Sequence, residues 1–310
     1  MSARHRSTGS SAGAIGCAFP DLRYDGFLTN LRRITPPPLT SLTFGCVPHT
    51  DDELTRTRLL ELAAWLSNRL GLLVRAHRAP SPEALASAFG SGRVDVAWVS
   101  PALLITAPQL EQARPLVCSI RQGMASYHSV LYVEQASPYR SPSNLYGARA
   151  AWVAPTSAAG YIVPRLSLAG HGFDPRTLFS SESFYDSHGN AARAVQAGNA
   201  DVGATFAVFD GGDPTRRMIR SGFAEVEGGG WARVLYAAGP IPSDPVVVAP
   251  KVDARQRVAI IEAFTRNYAE AAPSIMHVLG ADSFEAIRPG SFDTLRDDIT
   301  TGRQLGLLQG

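Results

Sequence analysis

Short alternating apolar runs separated by stretches of helical period run through most of this chain. Ser41-Leu-Thr-Phe-Gly-Cys-Val47 alternates as a strand does. The next segment puts Leu59, Leu62, Ala63, Leu66 and Leu70 on one helical face, and Gly71 supplies a stop. Thr50 with Glu53 three residues later is a capping-box pattern that predicts where this helix begins. Leu72-Leu-Val-Arg-Ala76 predicts the following strand. Strand, helix and strand at this spacing form a βαβ unit, whose two strands run parallel. Pro48, His49 and Thr50 then fall at the carboxyl end of the first strand, the edge at which open α/β sheets bind ligands.

A second helix is predicted from Ser81, a capping residue, through Pro82 at the first helical position. Ala84, Leu85, Ala88 and Phe89 form its apolar face, and Gly90-Ser-Gly92 closes it. The strand Arg93-Val-Asp-Val-Ala-Trp-Val99 runs on into Ser100-Pro101. The same pattern returns about a hundred residues later, with a helix over Asn190–Ala197, a stop at Gly198 and a strand over Asp201–Thr205. Gly92-x-x-Asp95-Val96 matches Gly198-x-x-Asp201-Val202, with each Asp at the start of its strand. Two similar halves predict two α/β lobes with a cleft between them, although helix–Gly–strand is also a generic connection.

Composition narrows the function classes. A chain of 310 residues, 45% hydrophobic, buries a large core and suits two lobes. A net charge of +2 argues against nucleic-acid binding. Lys251 is the only lysine. Cys17, Cys46 and Cys118 have neither zinc-ligand nor disulfide-framework spacing, and no metal or cofactor is implied. No apolar run is long enough for a membrane span. Residues 1–39 are rich in Ser, Arg, Gly and Pro and read as a flexible tail. No stretch there has the full form of a signal peptide, although Gly16-Cys17 faintly resembles a lipoprotein cleavage site.

The stretch with the most chemistry is Ala154-Pro-Thr-Ser-Ala-Ala-Gly-Tyr-Ile-Val-Pro164, which follows the apolar strand Ala150–Ala154 and enters a helix over Gly160–Leu168. A helix start offers N–H groups without intrahelical partners and the positive end of the dipole. Small and hydroxylated residues there let an anion approach closely. Thr156 to Gly160 is therefore a candidate anion pocket, and an ordinary capped helix start is the competing reading.

The ordered set of segments resembles the phosphate/phosphite/phosphonate-binding proteins of ABC importers, which have the type 2 periplasmic binding protein fold. The matching segments are Asp95–Trp98 with Ser100-Pro101, Tyr127–Leu131, Pro155–Pro164, Phe184–His188, Gly198–Ala204 and Gly239–Val248, with the closing Phe284–Leu308. The resemblance implies mainly parallel sheets flanked by helices in two lobes, one of residues 40–125 plus 237–310 and the other of residues 126–236. The run Pro240–Pro245 would be the second crossover between them.

By the same resemblance, Thr156, Ser157 and the N–H groups of Ala158, Ala159 and Gly160 would hold the ligand's oxygens. Ser187, His188, Tyr127 and Ser129 would complete that side, with Val99, Ser100, His49 and Ser81 facing them. The family pattern Ser-Thr-Ser-Gly keeps one hydroxyl of three here, at Ser157. Val99 and Pro82 stand where aromatic residues often line the family's cleft, and Gly189 stands near the position of an acidic residue that holds an amino group. Trp65, Trp98 and Trp152 read as core, and Asp95 and Asp201 as strand anchors. The implied function is capture of a small anionic solute, such as phosphate, phosphite or a phosphonate, with an ABC permease and ATPase as partners. The implied location is periplasmic or cell-surface. The alternative on the same fold is a cytoplasmic ligand sensor or a cofactor-pathway enzyme.

Overall fold

The computed structural model describes residues 40–48, 52–226 and 230–308. The tail of residues 1–39 with Cys17, and also His49, Thr50, Gly228 and Gly229, lie outside the described residues. The chain order is β1 (Ser41–Cys46), α1 (Glu53–Leu70), β2 (Leu73–Arg78), α2 (Pro82–Gly90), β3 (Val96–Trp98), α3 (Pro101–Thr106), β4 (Arg114–Ile120) and β5 (Ser126–Glu134). It continues with β6 (Ala148–Trp152), α4 (Val163–Gly170), α5 (Pro175–Leu178), β7 (Phe179–Phe184), α6 (His188–Gln196), β8 (Val202–Phe209) and β9 (Met218–Ser221). The last elements are β10 (Ala232–Pro242), β11 (Pro245–Val248), α7 (Ala254–Arg266), α8 (Ala272–Leu279), β12 (Ser283–Ala286) and α9 (Asp293–Gln304).

Two sheets share one topology. The first runs β12-β4-β11-β3-β1-β2, and the second runs β10-β5-β8-β6-β7 with β9 beside β8. Reading each from its far edge, β2-β1-β3-β11 corresponds to β7-β6-β8-β5. The pairs of β1 with β2 and β3, and of β6 with β7 and β8, are parallel. The remaining pairs are antiparallel, so the sheets are mixed rather than mainly parallel. The cause is that β11 and β5 each enter their sheet directly from a crossover, without a helix to reverse the chain.

The internal repeat extends to individual hydrogen bonds. Gly92 and Gly198 both have φ of +74°, a conformation glycine adopts without a Cβ penalty. Asp95 N–H donates to Thr43 O at 2.9 Å, and its carboxylate accepts from Thr43 N–H at 2.8 Å. Asp201 does the same with Arg149, at 2.8 Å in both directions. Each aspartate thus locks a strand against the neighbour that precedes it in its lobe. Lys251 Nζ pairs with Asp95 at 2.5 Å, and the Arg149 guanidinium pairs with Asp201 at 2.8 Å.

The helix starts follow local capping chemistry. Asp52, not Thr50, caps α1, by accepting from Thr55 N–H at 2.7 Å. Ser81 caps α2 and Ser187 caps α6, at 3.2 and 3.1 Å. Gly71 ends α1 in the left-handed conformation. Apolar side chains fill both faces of each sheet. Trp65 and Trp152 are buried there, and so are the Cys46 and Cys118 thiols. Burial pushes those thiols up to about 12 and about 11, so both stay protonated at neutral pH.

The chain passes between the sheets at Arg121–Ala125 and again at Ser243–Asp244. The second passage is shorter than the Pro240–Pro245 run, because β10 holds its pairing with β5 as far as Pro242. A third passage follows β12. Leu295 and Ile299 of α9 pack in the core of the second sheet, although chain order grouped this segment with the first lobe. Arg165 fixes that docking by donating to Leu307 O at 2.8 Å. No helix among the described residues is long and apolar enough to cross a membrane.

Candidate functional site

A cavity of about 370 Å³ opens where the carboxyl ends of β3 and β6 meet the two crossovers. It is of the size that small-molecule sites have. From the second sheet come Thr156, Ser157, Ala158 and Ala159, with His188, Phe206 and Arg220. From the first come Pro82, Trp98, Val99 and Ser100. Arg121, Ser126, Tyr127, Ser243 and Asp244 belong to the crossovers and their flanks, and they also line it.

The Thr156–Ala159 wall owes its shape to Pro164, five residues after Ala159. Ala158–Ile162 form a π turn, in which Ile162 N–H reaches Ser157 O at 3.0 Å. Pro164 has no N–H, so it can serve neither the Ala159 nor the Gly160 carbonyl. Ser129 Oγ donates to Ala159 O at 2.7 Å, and Val153 N–H donates to Gly160 O at 3.1 Å. A wide turn at a functional helix start is a recurring use of π geometry. The amides of Ala158 and Ala159 lie in this first turn, where N–H groups have no intrahelical acceptor. Ser157 Oγ accepts from Gly160 N–H at 3.0 Å, which leaves its own proton to donate.

His188 is the first residue of α6 and is oriented from behind by Thr205, with Nδ1 to Oγ1 2.8 Å apart. Its ring also meets the Phe206 ring edge-on at 5.0 Å. Burial drives the Tyr127 phenol far above its ordinary range; Asp244 adds to this and Arg121 opposes it. Tyr127 therefore stays a hydrogen-bond donor across the physiological range. The Arg220 guanidinium lies over the Phe206 ring, 5.3 Å from its centroid.

Arg121 and Asp244 join the two crossovers. Arg121 Nη2 donates to Asp244 at 2.7 Å and to Leu279 O at 3.2 Å, and Nε donates to Gly280 O at 2.8 Å. Its guanidinium lies 5.9 Å from the Trp98 ring centroid. Ser243 N–H donates to Ala125 O at 2.9 Å, a second stitch between the crossovers.

The structure thus brings Val99, Ser100, Tyr127, Thr156, Ser157, Ala158, Ala159 and His188 to one cavity. Four other candidates stand outside its lining. Gly160 is buried, and a Cβ there would collide with Val153. Ser129 supports the wall from behind, through Ala159. Ser187 and Ser81 cap α6 and α2 outside the lining. His128 is buried against Phe209, away from the lining, and burial lowers its pKa. Sequence reasoning missed Arg121, Asp244, Arg220 and Phe206. The one local signal was an aspartate in the Pro-Ser-Asp-Pro run; its partner is 123 residues away in the chain.

Residues 44–291 match the family described as ABC transporter, phosphonate, periplasmic substrate-binding protein. Solved structures share the fold at low identity. XAC2383 from Xanthomonas citri, bound to ATP, is 21% identical, with 86% of this chain and 99% of that one covered and a TM-score of 0.69. A binding protein component of an ABC phosphonate transporter from Pseudomonas aeruginosa is 19% identical, covering 86% and 87%, with a TM-score of 0.64. PhnD1 from Prochlorococcus marinus, in complex with methylphosphonate, is 15% identical, covering 87% and 99%, with a TM-score of 0.61. On the strength of the match over residues 44–291, this chain belongs to the periplasmic substrate-binding proteins of phosphonate ABC transporters, a family that binds solutes.

Proposed function

We propose that this protein captures a small phosphorus oxyanion, most simply an alkyl phosphonate, in the cavity between its lobes. The observation that carries the reading is the convergence of the Thr156–Ala159 helix start with His188 and Tyr127 on one cavity. Two hydroxyls, two first-turn amides, a phenol and an imidazole make a donor-rich wall suited to a tetrahedral anion. The neighbour that holds methylphosphonate supports the same ligand class.

In this reading the protein binds without turnover. The lobes of residues 40–125 plus 237–310 and of residues 126–236 close by bending at the crossovers, with α9 riding on the second lobe. The partners are an ABC permease and its ATPase, and the place of action is the periplasm or cell surface. Thermal unfolding against methylphosphonate, phosphite, phosphate and sulfate tests the ligand class. Ligand at about a hundred times its Kd adds about 2.7 kcal/mol of stability, a shift of a few degrees in Tm. The shift should appear with a phosphorus oxyanion and vanish in Ser157→Ala with His188→Ala. No shift with any phosphorus oxyanion would overturn the reading.

A further inference from the structure

Asp244 is the one acidic residue lining the cavity among the described residues. Left alone, it would give a ligand's ammonium group a partner. It is not alone: Arg121 holds it at 2.7 Å, and each of the two side chains is only 18% exposed. The guanidinium is fixed on its other side by the carbonyls of Leu279 and Gly280. Its Nη1 makes no hydrogen bond to any described residue, so donors remain on a side chain that lines the cavity. Arg220 also lines the cavity, with its guanidinium over the Phe206 ring on the His188 side.

We propose that Arg121 is a specificity-determining residue, which turns the cavity against ligands with a cationic far end and towards those with a neutral or carboxylate far end. The inference rests on the phosphonate reading above and adds the chemistry of the substituent. In a partly desolvated cavity a fixed like charge repels strongly, and specificity of this kind comes from the repulsive element as much as from new attraction. A 2-aminoethyl group would meet a carboxylate already satisfied and a guanidinium of its own sign. A 2-carboxyethyl group would meet the Nη1 donors.

The test is titration calorimetry with three matched probes, ethylphosphonate, 2-aminoethylphosphonate and 2-carboxyethylphosphonate, on the full chain. The wild-type protein should bind the carboxyethyl probe at least about tenfold more tightly than the aminoethyl probe. Arg121→Met frees Asp244 and should abolish or invert that ratio. Asp244→Asn keeps Arg121 and should widen it, which preserves the test if the methionine variant does not fold. Binding of ethylphosphonate with a probe ratio unchanged in the foldable variants would overturn this inference and leave the phosphonate reading standing. Failure of all three probes to bind the wild-type protein would overturn this inference and the alkyl-phosphonate form of the reading above.

Discussion

Ser129 Oγ donates to the Ala159 carbonyl at 2.7 Å, from one buried residue to another. The carbonyl needs this donor because the proline at 164 cannot supply an N–H. A strand hydroxyl thereby completes the π turn whose outer wall faces the cavity.

Ser129→Ala should leave that buried carbonyl unsatisfied and cost about 1–3 kcal/mol of stability. Methylphosphonate affinity should fall with it, as the turn loses its support. Denaturant unfolding and calorimetry on the same variant check the two effects. A fall in stability with unchanged affinity would show that the turn holds its shape without Ser129.

Gly222 packs against the support of His188. A Cβ there would collide with Thr205 Oγ1 and lie 2.9 Å from His188 Cβ. Gly222→Ala should displace the imidazole and weaken methylphosphonate binding by about tenfold, with a stability cost of about 1–3 kcal/mol. Thr205→Val, which removes the hydroxyl at nearly constant volume, should reproduce the affinity loss. Affinities at the wild-type level in both variants would remove His188 positioning from the account.

Glu182 accepts from Arg165 and from Trp152 Nε1, the latter at 2.7 Å. Arg165 is 3% exposed and also holds Leu307 O. Glu182→Ala would strand a buried guanidinium and an indole N–H, with an expected loss of about 3 kcal/mol. Hydrogen exchange should show α9 opening more often in the variant, since the arginine that fixes the chain after it loses its carboxylate.

The Arg149 guanidinium, aided by the Arg149 amide, holds the Asp201 carboxyl below its ordinary range. A depressed folded pKa contributes stability above the unfolded value, about 3.9, that is lost as pH falls through the folded pKa. Asp201→Asn should therefore be less stable than wild type by about 1 kcal/mol at pH 7. The gap should narrow below about pH 4. Urea midpoints from pH 7 down to pH 3 measure it, and a gap that widens with acid would contradict the assignment.

What the sequence determined by itself is local. The apolar alternation of β1, the cap at Ser81, the stop at Gly71 and the paired Gly-x-x-Asp units are short-range features. Their physics, side-chain period, capping hydrogen bonds and positive φ, is contained in a few consecutive residues. They gave the two-lobed α/β architecture and pointed to the Thr156 helix start.

Tertiary structure decided what required distant segments to meet. It set Ser129 behind the wall instead of in it, filled the space over Gly160 with Val153, and left Ser81 and Ser187 outside the cavity lining. It joined Arg121 to Asp244 across 123 residues and so fixed the charge at the base of the cleft. It also carried α9 across to the second core. No local pattern encodes these, because each depends on which backbone carbonyl, carboxylate or apolar surface the other parts of the fold leave for it to satisfy.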